Sequence, residues 1–400
     1  MVLIPRVRTA CAILGSAALA AVFMGAGAGT AGAATSTLRV GCGHNAYSTI
    51  AAAVSAASSG DTIVVCPGTY AGGVIVGKTL SIVGIGHPVI DATGQDNGVQ
   101  VLASNSSIRG LTVENAIGEG ILVGMGASPV SGVTVSGNTV KSNDQGNPTG
   151  APITDSPYPQ CNANPATPTV PGDCGEGIHV INAFDNTVVG NTVTGNGGGI
   201  LLSDDDGATY GNLIEFNIVS GNTLDCGITL AGHTPEIFGG GVHDNTIRGN
   251  WVTNNGVAGQ GGGVLLASGV PGNVQGIPGT GGAVYNNLVE GNYLAGNGLA
   301  GVTLHSHSPG EDLNGNAIIG NVIGTNNLAP DLDFGPHYFD GQTTGVIVTA
   351  VSNVSITIEH NIITNDINGI WVGQVGSTIT VNGTTSNLFI KVTNPLVTVS

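Results

Sequence analysis

A glycine followed by alternating apolar and variable residues recurs nine times, and this repeat restricts the fold more than any other feature of the chain. The glycines are Gly98, Gly120, Gly177, Gly199, Gly227, Gly263, Gly301, Gly345 and Gly369. The shortest spacing between them is 22 residues, and the other spacings are longer. A constant minimal unit with insertions of different length is typical of a solenoid in which each repeat forms one coil.

A second motif, of the form Gly-Asn-x-Val-x-x-Asn, precedes most of these glycines. Its asparagines are Asn191, Asn196, Asn217, Asn222, Asn250, Asn255, Asn292, Asn297, Asn321 and Asn326. Equivalent asparagines in successive coils can hydrogen-bond along the axis, which satisfies amides that would otherwise be costly to bury. Short β-branched segments with period-two alternation, bounded by Gly or Asn, predict strands. The fold class is therefore all-β, a parallel β-solenoid. Its side chains at the first and third positions after each glycine point inward, and those at the second and fourth point outward.

One segment has the pattern of a helix instead of a strand. It runs from Ser48 to Ala57, with Ser48 as the N-cap and Gly60 ending it, and Ile50 and Val54 lie on one face. We expect this helix to cover the first coil, whose exposed strand edge would otherwise promote aggregation. The predicted organisation is a single domain over residues 34–400, with an N-terminal cap at 34–60, an insertion at 142–173 and a C-terminal cap at 376–400.

The first 33 residues have the composition of an export signal. Arg6 and Arg8 precede an Ala-rich apolar run over residues 10–28, and small residues at 31–33 follow where signal peptidase cleaves. A membrane anchor is the alternative, but glycines within the run weaken it. We expect a secreted, extracellular protein that is monomeric and does not contact a membrane after residues 1–33 are removed.

Charge and composition exclude two classes of protein. Loss of Arg6 and Arg8 leaves 6 basic against 25 acidic residues, a formal charge of −19. So few cations cannot form the basic face that a nucleic-acid binder needs. Disorder is also excluded, because 41% of the residues are hydrophobic and only 8% are charged.

Five cysteines remain in the mature chain. In an exported protein this number suggests two disulfides and one thiol. Sequence proximity favours Cys42 with Cys66 and Cys161 with Cys174, the second pair closing the insertion at 142–173. Cys226 is then left as a buried thiol beside a strand.

Several segments resemble a known family. These are Tyr47-Ser-Thr-Ile, Gly60-Asp-Thr-Ile-Val-Val-Cys-Pro-Gly-Thr-Tyr70, Leu80-Ser-Ile-Val-Gly and Ile108-Arg-Gly-Leu-Thr-Val-Glu-Asn115. They resemble the secreted right-handed parallel β-helix family, the pectin-lyase-like superfamily, over roughly residues 38–390. The resemblance implies a right-handed β-helix, and a polysaccharide lyase, hydrolase, epimerase or esterase, or a member without activity. Its motifs are specific to the fold and not to a reaction.

Polar residues that suit catalysis follow neighbouring strands of one predicted outer face. The proposed catalytic residues are Asp204, Asp205, Asp206 and His233, and the proposed substrate-binding residues include His179, Asn182, His305 and His307. Neighbouring coils are about 4.8 Å apart, so Asp205 and His233 are expected to be direct neighbours. Individually, each histidine is more often structural, and an acidic run at a corner is often a solvated turn.

Two kinds of chemistry suit this cluster. Three aspartates and a nearby histidine are weakly similar to the polygalacturonase-type hydrolases of the superfamily, although the Gly-His-Gly and Arg-x-Lys motifs of those enzymes are missing. Alternatively, Asp204, Asp205 and Asp206 can bind Ca²⁺, which a lyase or epimerase would need, together with a proton acceptor. The acceptor candidates are Arg248, Lys141, Tyr210, Tyr338 or a histidine. A hydrolase would need no cofactor.

Three long departures from the minimal coil occur at 142–173, 269–282 and 331–340. The last contains Phe334 and Tyr338, whose rings are candidates for stacking on sugars or for packing onto the coil. The sequence thus predicts a protein that cleaves glycosidic bonds of an extracellular polysaccharide, with hydrolysis favoured over elimination or epimerisation. The alternative is a non-catalytic carbohydrate-binding or surface module.

Overall fold

The computed structural model describes residues 35–144, 175–258, 261–268, 281–306, 309–329, 342–374 and 376–399. These residues wind through three long parallel sheets, A, B and C, with a short fourth sheet, D, between C and A in five of the coils. Apart from the β1–β2 pair at the start, consecutive strands belong to different sheets, and every named pairing is parallel. This is the parallel β-solenoid that the repeat predicted.

The bounds of the strands follow the repeat. Sheet A contains β1 (Thr37–Val40), β2 (Thr62–Val65), β5 (Ser81–Gly84), β8 (Ser107–Arg109), β12 (Thr134–Ser136), β16 (Thr187–Val189), β20 (Leu213–Glu215), β24 (Thr246–Arg248), β28 (Leu288–Glu290), β31 (Ala317–Ile319), β34 (Val354–Glu359) and β37 (Ile379–Asn382). Sheet B contains β3 (Thr69–Ala71), β6 (Val89–Asp91), β9 (Thr112–Glu114), β13 (Thr139–Lys141), β17 (Thr192–Thr194), β21 (Ile218–Ser220), β25 (Trp251–Thr253), β29 (Tyr293–Ala295), β32 (Val322–Ile323), β35 (Ile362–Thr364) and β38 (Leu388–Ile390). Sheet C contains β4 (Val74–Val76), β7 (Val99–Val101), β10 (Ile121–Gly124), β14 (Glu176–Ile181), β18 (Gly198–Ser203), β22 (Ile228–Gly232), β26 (Val264–Ser268), β30 (Val302–Ser306), β33 (Thr344–Ala350), β36 (Asn368–Gln374) and β39 (Asn394–Val399). Sheet D contains β11 (Val130–Ser131), β15 (Ala183–Phe184), β19 (Thr209–Tyr210), β23 (Val242–His243) and β27 (Val284–Tyr285).

The predicted inward column of sheet C is confirmed. Its members are Val99, Ile121, Ile178, Ile200, Ile228, Val264, Val302, Val346 and Ile370. All are buried and pair in register from one coil to the next. They form part of one continuous aliphatic core that runs the length of the described coils.

The asparagine ladders are also confirmed. Asn250, for example, donates from Nδ2 to Asn292 Oδ1 at 3.0 Å and to the Ile214 carbonyl at 2.9 Å. Its own Oδ1 accepts from the backbone N–H and the Nδ2 of Asn217. Because each side chain bonds to the coil on either side of it, burying the amides costs little.

The predicted helix is present but shorter. α1 spans Ile50–Ala56, and its N-cap is Thr49, not Ser48. Thr49 Oγ1 accepts from the Ala52 N–H at 3.1 Å, which places the first helical turn one residue later than the sequence suggested. Ile50 and Val54 are buried as expected. In the described part of the chain, no helix is long and apolar enough to cross a membrane.

The first disulfide is confirmed: Cys42 and Cys66 are bonded, with their Cα atoms 5.8 Å apart. Cys226 is buried and is not part of a disulfide, also as predicted. Cys161, Cys174, the segment 1–33 and most of the insertion at 142–173 lie outside the described residues. The predicted C-terminal cap continues the three long sheets as β37, β38 and β39.

Candidate functional site

The Asp204–Asp206 segment follows β18 directly, at the corner between sheet C and sheet D. β22 is the next strand of sheet C, with Ser203 in register with Ala231. The same register, extended by two residues, brings Asp205 beside His233. Asp205 Oδ1 and His233 Nδ1 are 2.9 Å apart, and the two side chains are 21% and 23% exposed. The predicted contact between these two residues is confirmed.

Asp204 is fully buried and organises the neighbouring loop. Its Oδ1 accepts from the backbone N–H groups of His233 at 2.6 Å and Thr234 at 3.2 Å. Its Oδ2 accepts from Thr234 at 3.2 Å and Gly241 at 2.6 Å. Burial raises the pKa of this carboxyl to about 6, although the His233 charge and the backbone N–H groups of His233 and Gly241 oppose that rise. Asp204 therefore fastens the 233–241 loop to the end of β18.

The pKa of Asp205 shifts in the opposite direction to that of Asp204. Burial alone would raise its pKa, but the His233 charge, with hydrogen bonds from His233 and Ser203, lowers the pKa to about 2. Asp205 is consequently ionised at all ordinary pH values and orients His233.

His179 points away from the core, as its place in the repeat predicted, yet it is fully buried. Its Nδ1 lies 3.1 Å from Glu119 Oε1, and its Nε2 lies 2.9 Å from Ser203 Oγ. Ser203 also hydrogen-bonds to Asp205. A continuous series of hydrogen bonds between side chains therefore connects buried Glu119 to partly exposed His233. Such a chain fixes the rotamers of its members and so pre-organises the exposed end.

Sequence reasoning missed Glu119, Glu176 and Ser203. Glu119 and Glu176 each directly precede a repeat glycine, Gly120 and Gly177, so the repeat itself could have placed them in one column. The Glu176 N–H donates to Glu119 Oε2 at 3.0 Å. Ser203 is the fourth residue after Gly199 and occupies a position that points outward in the repeat, yet it is buried.

Two sets of residues offer oxygen or nitrogen ligands for a cation. Among the described residues, the donor atoms of Glu119, Glu176 and His179 lie within 4.8 Å of one another. Both ring nitrogens of His179 are already used in hydrogen bonds, so these residues form a hydrogen-bonded network and not a ready metal site. In the predicted calcium set, N–H groups point at both oxygens of Asp204, which does not fit a cation ligand. The calcium proposal for Asp204, Asp205 and Asp206 stays a prediction without support from this geometry.

The other predicted substrate-binding residues are dispersed. Asn182, with φ of +49°, packs against Gly207, where a Cβ would come within 2.6 Å of Asn182 Oδ1. It therefore borders the Asp204–Asp206 corner. His305 is buried on β30, and β26 separates it from β22. His307, Phe334 and Tyr338 lie outside the described residues.

The proton-acceptor candidates among the described residues have other partners. Lys141 Nζ lies 3.0 Å from Glu114, and Arg248 lies 2.7 Å from Glu215. Tyr210 stacks between Phe184 and His243, with ring centroids 5.1 and 5.0 Å apart. His233, which the sequence proposed as catalytic, lies beside the partly exposed carboxylate of Asp205.

Comparison with known proteins gives one family match. Residues 93–275 match the family model described as "Right handed beta helix region". No curated protein matches the chain in sequence.

Several solved structures are similar in backbone. An alginate lyase from Paenibacillus sp. str. FPU-7 is 14% identical with a TM-score of 0.49, covering 89% of this chain and 100% of that one. The A-module of the Azotobacter vinelandii mannuronan C-5 epimerase AlgE4 is 17% identical with a TM-score of 0.48, covering 86% and 91%. Pectate lyase Pel9A is 16% identical with a TM-score of 0.45, covering 88% and 79%. Similarity this low informs neither substrate nor reaction. The family match over residues 93–275 and the coil topology together show that this chain folds as a right-handed parallel β-helix.

Proposed function

We propose that this is an exported, polysaccharide-active enzyme in which His233 transfers a proton at the glycosidic linkage and Asp205 orients it. The observation that carries the proposal is the 2.9 Å contact between Asp205 Oδ1 and His233 Nδ1 at a partly exposed corner. An ionised carboxylate at Nδ1 fixes the tautomer of the ring and stabilises the imidazolium formed when Nε2 accepts a proton.

The geometry does not support the two-carboxylate version of hydrolysis. That reaction needs one carboxyl group to hold a proton beside the leaving oxygen. Asp205 is ionised, with a pKa of about 2, and Asp204 is buried with both oxygens accepting backbone N–H groups. We therefore assign the proton transfer to His233, the contact partner of Asp205.

A panel of neutral and acidic polysaccharides, assayed for reducing ends and for absorbance at 235 nm, tests the proposal and separates hydrolysis from elimination. We expect His233→Ala and Asp205→Asn each to remove most of the turnover. The matched control is Asp244→Asn, because Asp244 makes a similar contact, 2.8 Å, to His243 on sheet D. Full activity in both site variants would place the chemistry elsewhere.

A second candidate is a non-catalytic surface protein, and Asp204 is the observation that favours it. A carboxylate that fastens a loop explains an acidic corner without any catalysis. Inactivity of the wild type on every polymer, with and without added Ca²⁺, would support this candidate.

A further inference from the structure

The Lys and Arg side chains all lie away from the corner that carries Asp205 and His233. Residues 35–400 contain six of them, and all six are among the described residues. Three are on sheet A, one is on sheet B, one directly follows sheet B and one lies between β4 and β5; in that order they are Arg39, Arg109, Arg248, Lys141, Lys391 and Lys78. The described strands of sheets C and D, which meet at the corner, therefore contain no Lys or Arg.

The two cations with a sequence or sheet connection to the corner are engaged elsewhere. Lys78 follows β4, which is four strands from β18 in sheet C, or about 19 Å at a coil spacing of about 4.8 Å. Its Nζ donates to three backbone carbonyls at the end of α1, at 2.7 to 3.2 Å. Arg248, which follows sheet D, is in register between Glu215 and Glu290. Neither side chain offers a free positive charge to a ligand at the corner, since salt screens charges beyond about 8 Å.

The histidines around the corner have carboxylate partners. The distances from Nδ1 to the carboxylate oxygen are 2.9 Å for His233 and Asp205, 2.8 Å for His243 and Asp244, and 3.1 Å for His179 and Glu119. When the histidine of such a pair is protonated and its partner is ionised, the pair has no net charge. The histidines therefore do not give the corner an excess of positive charge.

Exposed carboxylates border the same corner. Asp206 belongs to it, Asp185 directly follows β15 of sheet D, and Glu236 lies in the 233–241 loop; all three are exposed. Their influence is measurable at Tyr285 on β27. Burial and three carboxylate charges raise the pKa of Tyr285 to about 12, and the three belong to Glu236, Asp244 and Asp312. The corner and the adjoining sheet D thus form a negatively charged surface.

We infer that the substrate of this corner is a polysaccharide without negatively charged groups, an inference that rests on the proposed function. A polyuronate would bring one carboxylate per sugar to a surface that repels it and has no Lys or Arg to pair with it. Elimination and epimerisation of a uronate also build up negative charge beside its carboxylate, which calls for positive charge or directed dipoles at that point. An uncharged sugar, or one with protonated amino groups, makes neither demand.

Polymers that share a backbone and differ in charge test the inference. The pairs are hydroxyethyl cellulose with carboxymethyl cellulose, methyl-esterified with de-esterified homogalacturonan, and glycol chitosan with its carboxymethylated form. We expect the wild type to release reducing ends only from members without negative charge, with or without Ca²⁺. Cleavage of an anionic member as fast as its counterpart, or faster, overturns the inference while the proposed function stands.

Affinity electrophoresis of His233→Ala in gels that contain each polymer measures binding without turnover. We expect an uncharged or amino polymer to retard this variant and the anionic polymers not to do so. If the wild type cleaves nothing, the proposed function fails, and the binding result still decides the inference. Retardation by anionic polymers alone, or by no polymer, overturns it.

A charge reversal locates the effect at the corner. Asp206→Arg changes the charge there by two units and should strengthen binding of the anionic polymers by about fivefold at low salt. Asp96→Arg is the matched control, because Asp96 is exposed and lies between β6 and β7, away from the corner. It should leave binding of the anionic polymers unchanged. An equal gain in both variants would mean that the charge of the whole chain excludes anions, and would overturn the assignment to the corner.

Discussion

Asp366 stands where an asparagine ladder ends, and replacing it with asparagine should stabilise the protein at alkaline pH. The ladder contains Asn255, Asn297 and Asn326, and the Asn326 N–H donates to Asp366 Oδ1 at 3.1 Å. In the preceding coil, Asn326 Nδ2 donates to the Leu294 carbonyl at 3.1 Å. Asp366 Oδ2 occupies the equivalent place but is an acceptor when ionised, and it has no hydrogen-bond partner among the described residues.

The expected change in the free energy of unfolding follows from the pKa of Asp366. Burial raises the pKa of Asp366 from 3.8 to about 7, against the lowering effect of the Asn326 N–H. Between pH 4 and pH 7 the unfolded chain has lost this proton while the folded chain keeps it, so stability falls as pH rises through that range. At pH 8 the raised pKa of Asp366 therefore lowers the free energy of unfolding by about 4 kcal/mol at most, since each pKa unit corresponds to about 1.4 kcal/mol.

Urea unfolding of wild type and Asp366→Asn at pH 4.5 and pH 8 measures this difference. Asparagine supplies the missing donor at every pH, so the variant should gain roughly 2–4 kcal/mol at pH 8 and little at pH 4.5. Asp96→Asn, at an exposed position, is the control and should change little at either pH. An equal effect of Asp366→Asn at both pH values would refute the reasoning.

Two further substitutions test the ladders and the loop anchor. Asn250→Ala removes side-chain hydrogen bonds to two neighbouring coils and leaves buried groups unpaired. We therefore expect chemical denaturation to show a free energy of unfolding that is lower by about 3–5 kcal/mol. A decrease below about 1 kcal/mol would contradict the role given to the ladder. Asp204→Ala should lower the thermal midpoint and the activity together, because three backbone N–H groups lose their acceptor, whereas Asp205→Asn should lower activity alone. Unchanged hydrogen exchange in the 233–241 loop of Asp204→Ala would argue against the anchor.

The sequence by itself determined the solenoid, because its signals are local and repeat. The glycine spacing, the alternation after each glycine and the paired asparagines each specify one coil, and stacking identical coils places equivalent residues in register. For that reason the inward column through Ile200 and Ile228, the Asn250 ladder and the Asp205–His233 contact could all be predicted.

Only the tertiary structure decided what each polar residue does. Alternation predicts that a side chain points outward, but not that it is covered, and His179 and Ser203 both point outward and are buried. Asp204 and Asp205 are adjacent in sequence and of one type, yet the backbone N–H groups of the 233–241 loop surround one and the His233 ring meets the other. Their pKa values move in opposite directions because burial dominates at Asp204 and the neighbouring histidine dominates the net effect at Asp205. Burial and charge at a corner depend on how closely loops from other coils approach it, and the local sequence does not encode the distances between them.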